Sequence, residues 1–311
     1  MIQSVAVIGT GVIGTGWALR CLASGRRVEA FDPSPNFKAR LADEIHRLWP
    51  VLEKRGLAEH ADPTQIRYHD SIAGACAHAD FVQESAPEEL TIKQALHAEI
   101  DDACSPEIII ASSSSGLLPS QIQSVCAHPE RMLIGHPFNP VYLLPLVEVV
   151  GGEGTQSKAL DVASDFYQQL GMRPLRVRNE IEGYLSDRLQ EALWREALHL
   201  VNDGIATTQE LDDAITYGPG LRWAMMGTCL TFHLAGGHGG MRHMLEQFGP
   251  ALKLPWTKLE APELSETLID QMVAGTAAQA GTKSIADLET MRDECLIEIM
   301  AVVEKYRSAG L

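Results

Sequence analysis

Val5-Ala6-Val7-Ile8-Gly9-Thr10-Gly11-Val12-Ile13-Gly14 is a short apolar strand that runs straight into a Gly-x-Gly-x-x-Gly turn, and Trp17-Ala18-Leu19-Arg20-Cys21-Leu22 continues it as a helix. Gly9 permits the tight turn, Gly11 lets a pyrophosphate approach the backbone, and Gly14 lets helix and strand pack closely. The helix N-terminus then faces the phosphates. Arg27-Val28-Glu29-Ala30-Phe31 reads as a second strand, and Asp32 ends it 18 positions after Gly14. A carboxylate there suits a ribose 2′-hydroxyl and repels a 2′-phosphate, so the pattern predicts NAD, held at Gly9, Thr10, Gly11, Val12, Ile13, Gly14 and Asp32. Lys38 and Arg40, on the following helix, temper that preference.

Strand-like and helix-like stretches go on alternating. Leu41, Ile45, Leu48 and Leu52 mark a helix over about 36–55. Asp80-Phe81-Val82-Gln83 is a strand, and a helix over about 88–103 follows. Further strands are Ile108-Ile109-Ile110-Ala111, Met132-Leu133-Ile134-Gly135, Leu146-Val147-Glu148-Val149-Val150 and Leu175-Arg176-Val177. Such interleaving implies a mostly parallel sheet with helices on both faces. Near residue 180 the strands stop. Leu185, Leu189, Leu193, Ala197 and Leu200-Val201 form the stripe of a long amphipathic helix, and Asp203-Gly204 ends it. Thr207-x-x-Glu210 reads as a capping box opening the next helix, and 285–307 is helical again. The expected fold is α/β: a Rossmann-type doubly wound sheet over 1–180, followed by an all-α domain over 181–311.

The chain has 311 residues, enough for about two domains. Its 41 acidic and 25 basic residues give a net charge of −16, which argues against nucleic acid or an anionic membrane as partner. Cys21, Cys76, Cys104, Cys126, Cys229 and Cys295 are scattered without a Cys-x-x-Cys pair, as suits reduced thiols in a cytoplasmic protein and no metal site. No apolar run reaches membrane-spanning length, and the first strand begins too early for a cleavable leader.

Ligands of a doubly wound sheet bind beyond the carboxyl ends of its strands. Ser112 to Ser115, Gly135-His136-Pro137-Phe138-Asn139-Pro140 and Glu148 fall at or near such ends. A carboxylate inside Leu-Val-Glu-Val-Val is costly to bury without a partner. A histidine suits it, and its second ring nitrogen can then take a proton from a hydroxyl. His136 precedes Glu148 by 12 residues, and the prolines between them allow the chain to fold back.

These segments, with Ala79-Asp80-Phe81-Val82-Gln83-Glu84 and the Glu88…Lys93 stretch, resemble the 3-hydroxyacyl-CoA dehydrogenase family across nearly the whole chain. The resemblance implies His136 as general base, Glu148 as its partner and Ser115 as a hydrogen-bond donor to the reacting oxygen. It places Glu88, Lys93 and Asn139 at the cofactor or the active site, and it implies a homodimer. One position departs. The family runs Gly-Phe-x-x-Asn-Arg, whereas Gly183-Tyr184-Leu185-Ser186-Asp187-Arg188 has an acid in place of the amide. The segments after it resemble a subgroup acting on a small hydroxy acid that carries a trimethylammonium group. A quaternary ammonium favours aromatic faces and carboxylates, so Asp187, Tyr142, Trp194, Trp223 and Phe232 are candidate contacts. Arg222, with Arg188 and Arg195 as alternatives, is a candidate for the substrate carboxylate. An anionic sugar acid such as L-gulonate, a hydroxyacyl-CoA, or a non-catalytic NAD-binding or structural role are the alternatives.

Overall fold

The computed structural model describes residues 2–224, 226–258 and 265–307. It forms two compact units, Met1–Asp187 and Arg188–Leu311. The first holds one eight-stranded sheet in the order β3-β2-β1-β4-β5-β6-β7-β8. Its strands are β1 (Ser4–Ile8), β2 (Arg27–Phe31), β3 (Ile66–Tyr68), β4 (Phe81–Glu84), β5 (Ile109–Ser112), β6 (Met132–Pro137), β7 (Leu146–Gly151) and β8 (Arg173–Arg176). The interleaved helices are α1 (Val12–Ala23), α2 (Phe37–Arg55), α3 (Ile72–Cys76), α4 (Leu90–Ala103), α5 (Pro119–Gln123) and α6 (Ser157–Gln169).

Every adjacent pair of strands is parallel except β6 and β7. Strand order reverses between β1 and β4, so the carboxyl ends of those strands bound the crevice where a doubly wound sheet takes its ligand. β1 is buried at every position, as a central parallel strand must be. On α2 the apolar residues Leu41, Ile45, Leu48 and Leu52 are buried at the spacing seen in the sequence. β3 escapes sequence reasoning because three residues, Ile66-Arg67-Tyr68, at a sheet edge leave no periodic signal. β8 begins two residues earlier than Leu175, its register set by pairing with β7.

One side of the sheet is filled by Trp17, Phe81, Phe166 and Tyr167, with ring centroids 4.5–5.8 Å apart. Tyr167 is fully buried and donates its hydroxyl to Gln83 Oε1 at 2.8 Å. A Cβ on Gly135 would lie 1.9 Å from that phenolic oxygen. Glycine in β6 is therefore a packing requirement.

The second unit carries helices and, among its described residues, no strand. α7 (Ser186–Asn202) leads into it, followed by α8 (Thr208–Thr216), α9 (Gly220–Trp223), α10 (Thr228–Ala235), α11 (Gly240–Phe248), α12 (Glu266–Ala280) and α13 (Ile285–Arg307). The capping box of α8 is formed: Thr207 N donates to the Glu210 carboxylate at 2.8 Å, and Glu210 N donates to Thr207 Oγ1. The expected amphipathic helix is α7, and its apolar stripe is only partly buried. Leu198 and Val201 are buried against Leu268, but Leu185, Leu189 and Leu193 are exposed, Leu189 to 70%.

Gly135→Ala should lower the unfolding free energy by about 1–3 kcal/mol, the usual range for overpacking, measured by urea denaturation. Because the clash is with the hydroxyl oxygen, adding Tyr167→Phe should recover part of that loss.

Candidate active site

At the carboxyl end of β1, Gly9 turns with φ +89°, and a Cβ there would strike the Ser85 carbonyl at 2.7 Å. Gly14 is held against the Gly9 carbonyl more tightly still, at 1.8 Å from where a Cβ would stand. Gly11, the N-cap of α1, has open space where a side chain would stand and offers no side-chain cap of its own. Bare N–H groups at a helix N-terminus facing open space fit a pyrophosphate. Asp32 accepts from Thr10 N at 2.7 Å, Thr10 Oγ1 at 3.1 Å and Ser34 N at 2.9 Å. It is thereby fixed beside the glycine loop, where a ribose hydroxyl fits. Arg40 lies 3.8 Å from Asp32, whereas Lys38 is drawn away to Asp70. Val12 is exposed at the mouth of the turn and Thr10 is buried beneath it.

The serine run after β5 is more than a solvated loop. Ser112 donates to Glu84. Ser113 Oγ receives Trp17 Nε1 at 3.0 Å and Gln83 Nε2 at 2.8 Å. Ser114 Oγ donates to Glu88 Oε1 at 2.6 Å, and the backbone N–H groups of Ser115 and Gly116 reach the same oxygen at 2.9 and 3.0 Å. Glu88 therefore shapes the turn that presents Ser115. Lys93, expected at the cofactor or the active site, is buried to 1% exposure. Its ammonium is taken by Glu84 at 2.9 Å, the Ala86 carbonyl at 3.2 Å and Glu88 at 3.6 Å. Glu84 also meets His97 Nε2 at 3.1 Å. Sequence reasoning missed Gln83, Glu84 and His97. Two adjacent polar residues at the end of the apolar strand Phe81-Val82 were the available signal.

β6 and β7 pair with His136 directly opposite Glu148. His136 Nδ1 lies 2.9 Å from Glu148 Oε2. An ionised carboxylate only accepts, so Nδ1 carries the proton and Nε2 presents its lone pair. The other oxygen of Glu148 accepts from Leu185 N and Ser186 N, each at 3.0 Å, and from Ser186 Oγ at 3.2 Å. Gly183 (φ +70°) and Tyr184 (φ +44°) form the left-handed turn that aims those groups. Burial opposes charge on Glu148, but the bonds from His136, Ser186 and Leu185 outweigh it and hold the carboxyl below its ordinary value. Asp187 Oδ2 lies 3.8 Å from His136 Nε2. The rings of Phe138 and Tyr184 flank the imidazole at 5.2 and 5.7 Å. Asn139 is exposed in the connection to β7, and Tyr142 is buried there. Trp194, Arg222, Trp223 and Phe232 belong to the helical unit, on α7, α9 and α10, each exposed at its surface.

A lone pair on a braced imidazole, a serine hydroxyl and a dinucleotide loop are the parts of an alcohol dehydrogenase. The NAD-binding domain model of 3-hydroxyacyl-CoA dehydrogenases matches residues 4–181, and the C-terminal domain model of the same enzymes matches 183–284. The chain belongs to the 3-hydroxyacyl-CoA dehydrogenase family. It is an NAD-dependent dehydrogenase by that membership. It is 56% identical over 307 residues to an L-carnitine dehydrogenase of Pseudomonas aeruginosa, covering 99% of this chain and 96% of the relative. An L-carnitine dehydrogenase of Bacillus cereus is 54% identical, covering 98% and 94%. Among solved structures, an NAD+-dependent 5-formyl-3-hydroxy-2-methylpyridine 4-carboxylic acid 5-dehydrogenase superposes with a TM-score of 0.81 at 25% identity, covering 98% of this chain and 99% of that one. An (S)-3-hydroxybutyryl-CoA dehydrogenase of Ralstonia eutropha gives 0.63 at 25% identity, covering 88% and 95%.

The family's cofactor domain here is braced by a charge that titrates. Burial opposes ionisation of Glu84, but His97, Lys93 and Ser112 together bring its carboxyl from 4.5 down to about 2. A carboxyl depressed on folding stabilises above its unfolded value and loses that contribution as pH falls through the folded one. Stability should therefore decline between about pH 4.5 and pH 2. Glu84→Gln should cost about 3–5 kcal/mol at neutral pH by taking from buried Lys93 its nearer carboxylate, and should lessen the acid slope by about one proton. Urea unfolding at a series of pH values measures both.

Proposed function

We propose that the chain oxidises the 3-hydroxyl of L-carnitine to 3-dehydrocarnitine with NAD. The observation that carries the substrate choice is Asp187, a second carboxylate 3.8 Å from the nitrogen that faces the hydroxyl. It suits a substrate with a fixed positive charge. The near full-length likeness to L-carnitine dehydrogenases supports the same reading.

NAD, when bound, supplies the hydride acceptor. Gly9, Thr10, Gly11, Val12, Ile13 and Gly14 hold its pyrophosphate, and Asp32 holds a ribose. Glu88 and Asn139 line the cofactor side, with Lys93 acting from beneath through Glu88. His136 Nε2 takes the proton of the 3-hydroxyl. Ser115 Oγ donates to the oxygen throughout. Glu148 fixes the tautomer and offsets the charge that His136 acquires. Asp187 faces the trimethylammonium, with Tyr142, Trp194, Trp223 and Phe232 as its aromatic contacts. Arg222 takes the carboxylate. Residues 1–180 act as the NAD-binding domain and 181–311 as the substrate and dimerisation domain.

The protein acts as a cytoplasmic homodimer on this reading. Leu189, Leu193 and Trp194 on α7 and Leu230, Phe232 and Leu234 on α10 are each 46–70% exposed. Apolar faces of that kind mark an interface. Cys229 and Cys295 are exposed free thiols, which suits a reducing compartment. Among the described residues no helix is long and apolar enough to cross a membrane.

His136→Ala should bind NADH normally, by fluorescence titration, yet turn over roughly 10²–10⁴-fold more slowly. Absorbance of NADH with L-carnitine, L-gulonate and L-3-hydroxybutyryl-CoA tests the substrate. Turnover of carnitine supports the assignment, and turnover of gulonate with carnitine inert defeats it. Sedimentation should give twice the chain mass, and Leu189→Glu with Leu193→Glu should shift it to the monomer.

A further inference from the structure

Among the described residues, Glu148 from β7, Asp187 from the first turn of α7, and the rings of Phe138 and Tyr184 pack against the His136 imidazole. Two are carboxylates, but they are not equivalent. Glu148 is fully buried and spends its second oxygen on three donors around Leu185 and Ser186. Asp187 is partly open, 27% exposed, and stands on the Nε2 side at a distance too long for a hydrogen bond but short for a charge interaction.

Proton transfer to Nε2 creates an imidazolium. With an uncharged substrate, the charge of Glu148 alone balances it. Carnitine already carries an ammonium on the carbon next to C3. The net charge is unchanged, because the hydroxyl gives up the proton that the imidazole gains, but a second cation then stands beside that ammonium in a poorly solvated site, with Glu148 as its close carboxylate. A second carboxylate on the Nε2 side offsets that local repulsion, which Glu148, on the Nδ1 side, meets only in part. Resting on the carnitine reading above, we propose that Asp187 is the counter-charge that lets a histidine base work beside a substrate that is itself a cation. Its effect falls on the proton-transfer step as well as on binding, and it sets the enzyme's preference for a cationic over a neutral side chain. An acid in the first turn of a helix also suits the helix dipole, but that role is blind to the charge of the substrate.

Substrate charge is therefore the variable to change. The carbon isostere of carnitine, 3-hydroxy-5,5-dimethylhexanoate, carries a tert-butyl group in place of the trimethylammonium and keeps its shape. kcat and KM are measured for both compounds in the wild-type enzyme and in Asp187→Asn and Asp187→Glu. Asp187→Asn should lower kcat/KM for carnitine roughly 10–100-fold, with part of the loss in kcat, as for one lost charge-assisted contact. For the isostere it should change less than about threefold, on the same grounds. Asp187→Glu should recover part of the carnitine activity. An equal fall for both compounds makes Asp187 merely structural and overturns the proposal, as does a carnitine rate that Asp187→Asn leaves unchanged. A wild-type enzyme inert toward carnitine overturns the substrate reading itself. An enzyme active on carnitine but charge-blind at residue 187 overturns only this inference.

Discussion

The buried carboxylate of Glu148 joins three parts of the first unit at one point. It sits on β7, bonds the β6 histidine through one oxygen, and through the other gathers the backbone where α7 begins. An unpaired ion so placed would cost several kcal/mol, and the bonds it accepts repay that cost only if all of them are made together. The antiparallel pairing of β6 and β7 supplies the first, since it puts residues 136 and 148 opposite each other. The turn at Gly183 and Tyr184 supplies the rest. A tyrosine at positive φ is strained by about 1–3 kcal/mol. Tyr184 offsets this by complete burial and by donating its hydroxyl to the Leu117 carbonyl at 2.7 Å. The orientation of the imidazole is thus fixed by backbone geometry two elements away.

A second buried carboxylate does similar work for the serine turn. Glu84 ends β4 and binds Lys93, His97 and Ser112. Lys93 reaches from there toward Glu88, which collects the Ser114 hydroxyl and the next two backbone N–H groups. Ser115 is therefore presented by a chain of ion pairs rooted in the sheet. Such a chain is rigid because each member is satisfied only by its neighbours. Trp17, Gln83 and Tyr167 extend the order to the other side of the strands through Ser113.

Negative charge recurs at every level of this molecule. The chain carries −16 overall, and Glu88, Glu148 and Asp187 cluster about the base and the serine turn. The overall charge steers a cation only weakly, because salt screens it over about 8–10 Å. The carboxylates of Glu148 and Asp187, within a few ångströms of the imidazole, act where screening is poor.

The glycine turn, Asp32 and the alternation of strands and helices were legible in the sequence because each depends on local spacing. A tight turn needs glycine, a buried parallel strand needs an apolar run, and a helix needs a 3.6-residue period. The partnership of His136 and Glu148 could be suspected from the cost of a lone acid in an apolar strand. Three other features were decided only by tertiary structure. The burial of Lys93 and its pairing with Glu84, nine residues away, follow from the packing of α4 on β4. The roles of Gln83 and His97 depend on distant partners, Tyr167 on α6 and Gly135 on β6 for the first and Glu84 on β4 for the second. The Leu185, Leu189 and Leu193 stripe reads as one face of an amphipathic helix, and its exposure shows that apolar periodicity reports only that a face is to be covered, and not by what. The residue types fixed which chemistry was available, and the long-range register of β6 on β7 and of β4 on β5 decided which of those groups meet.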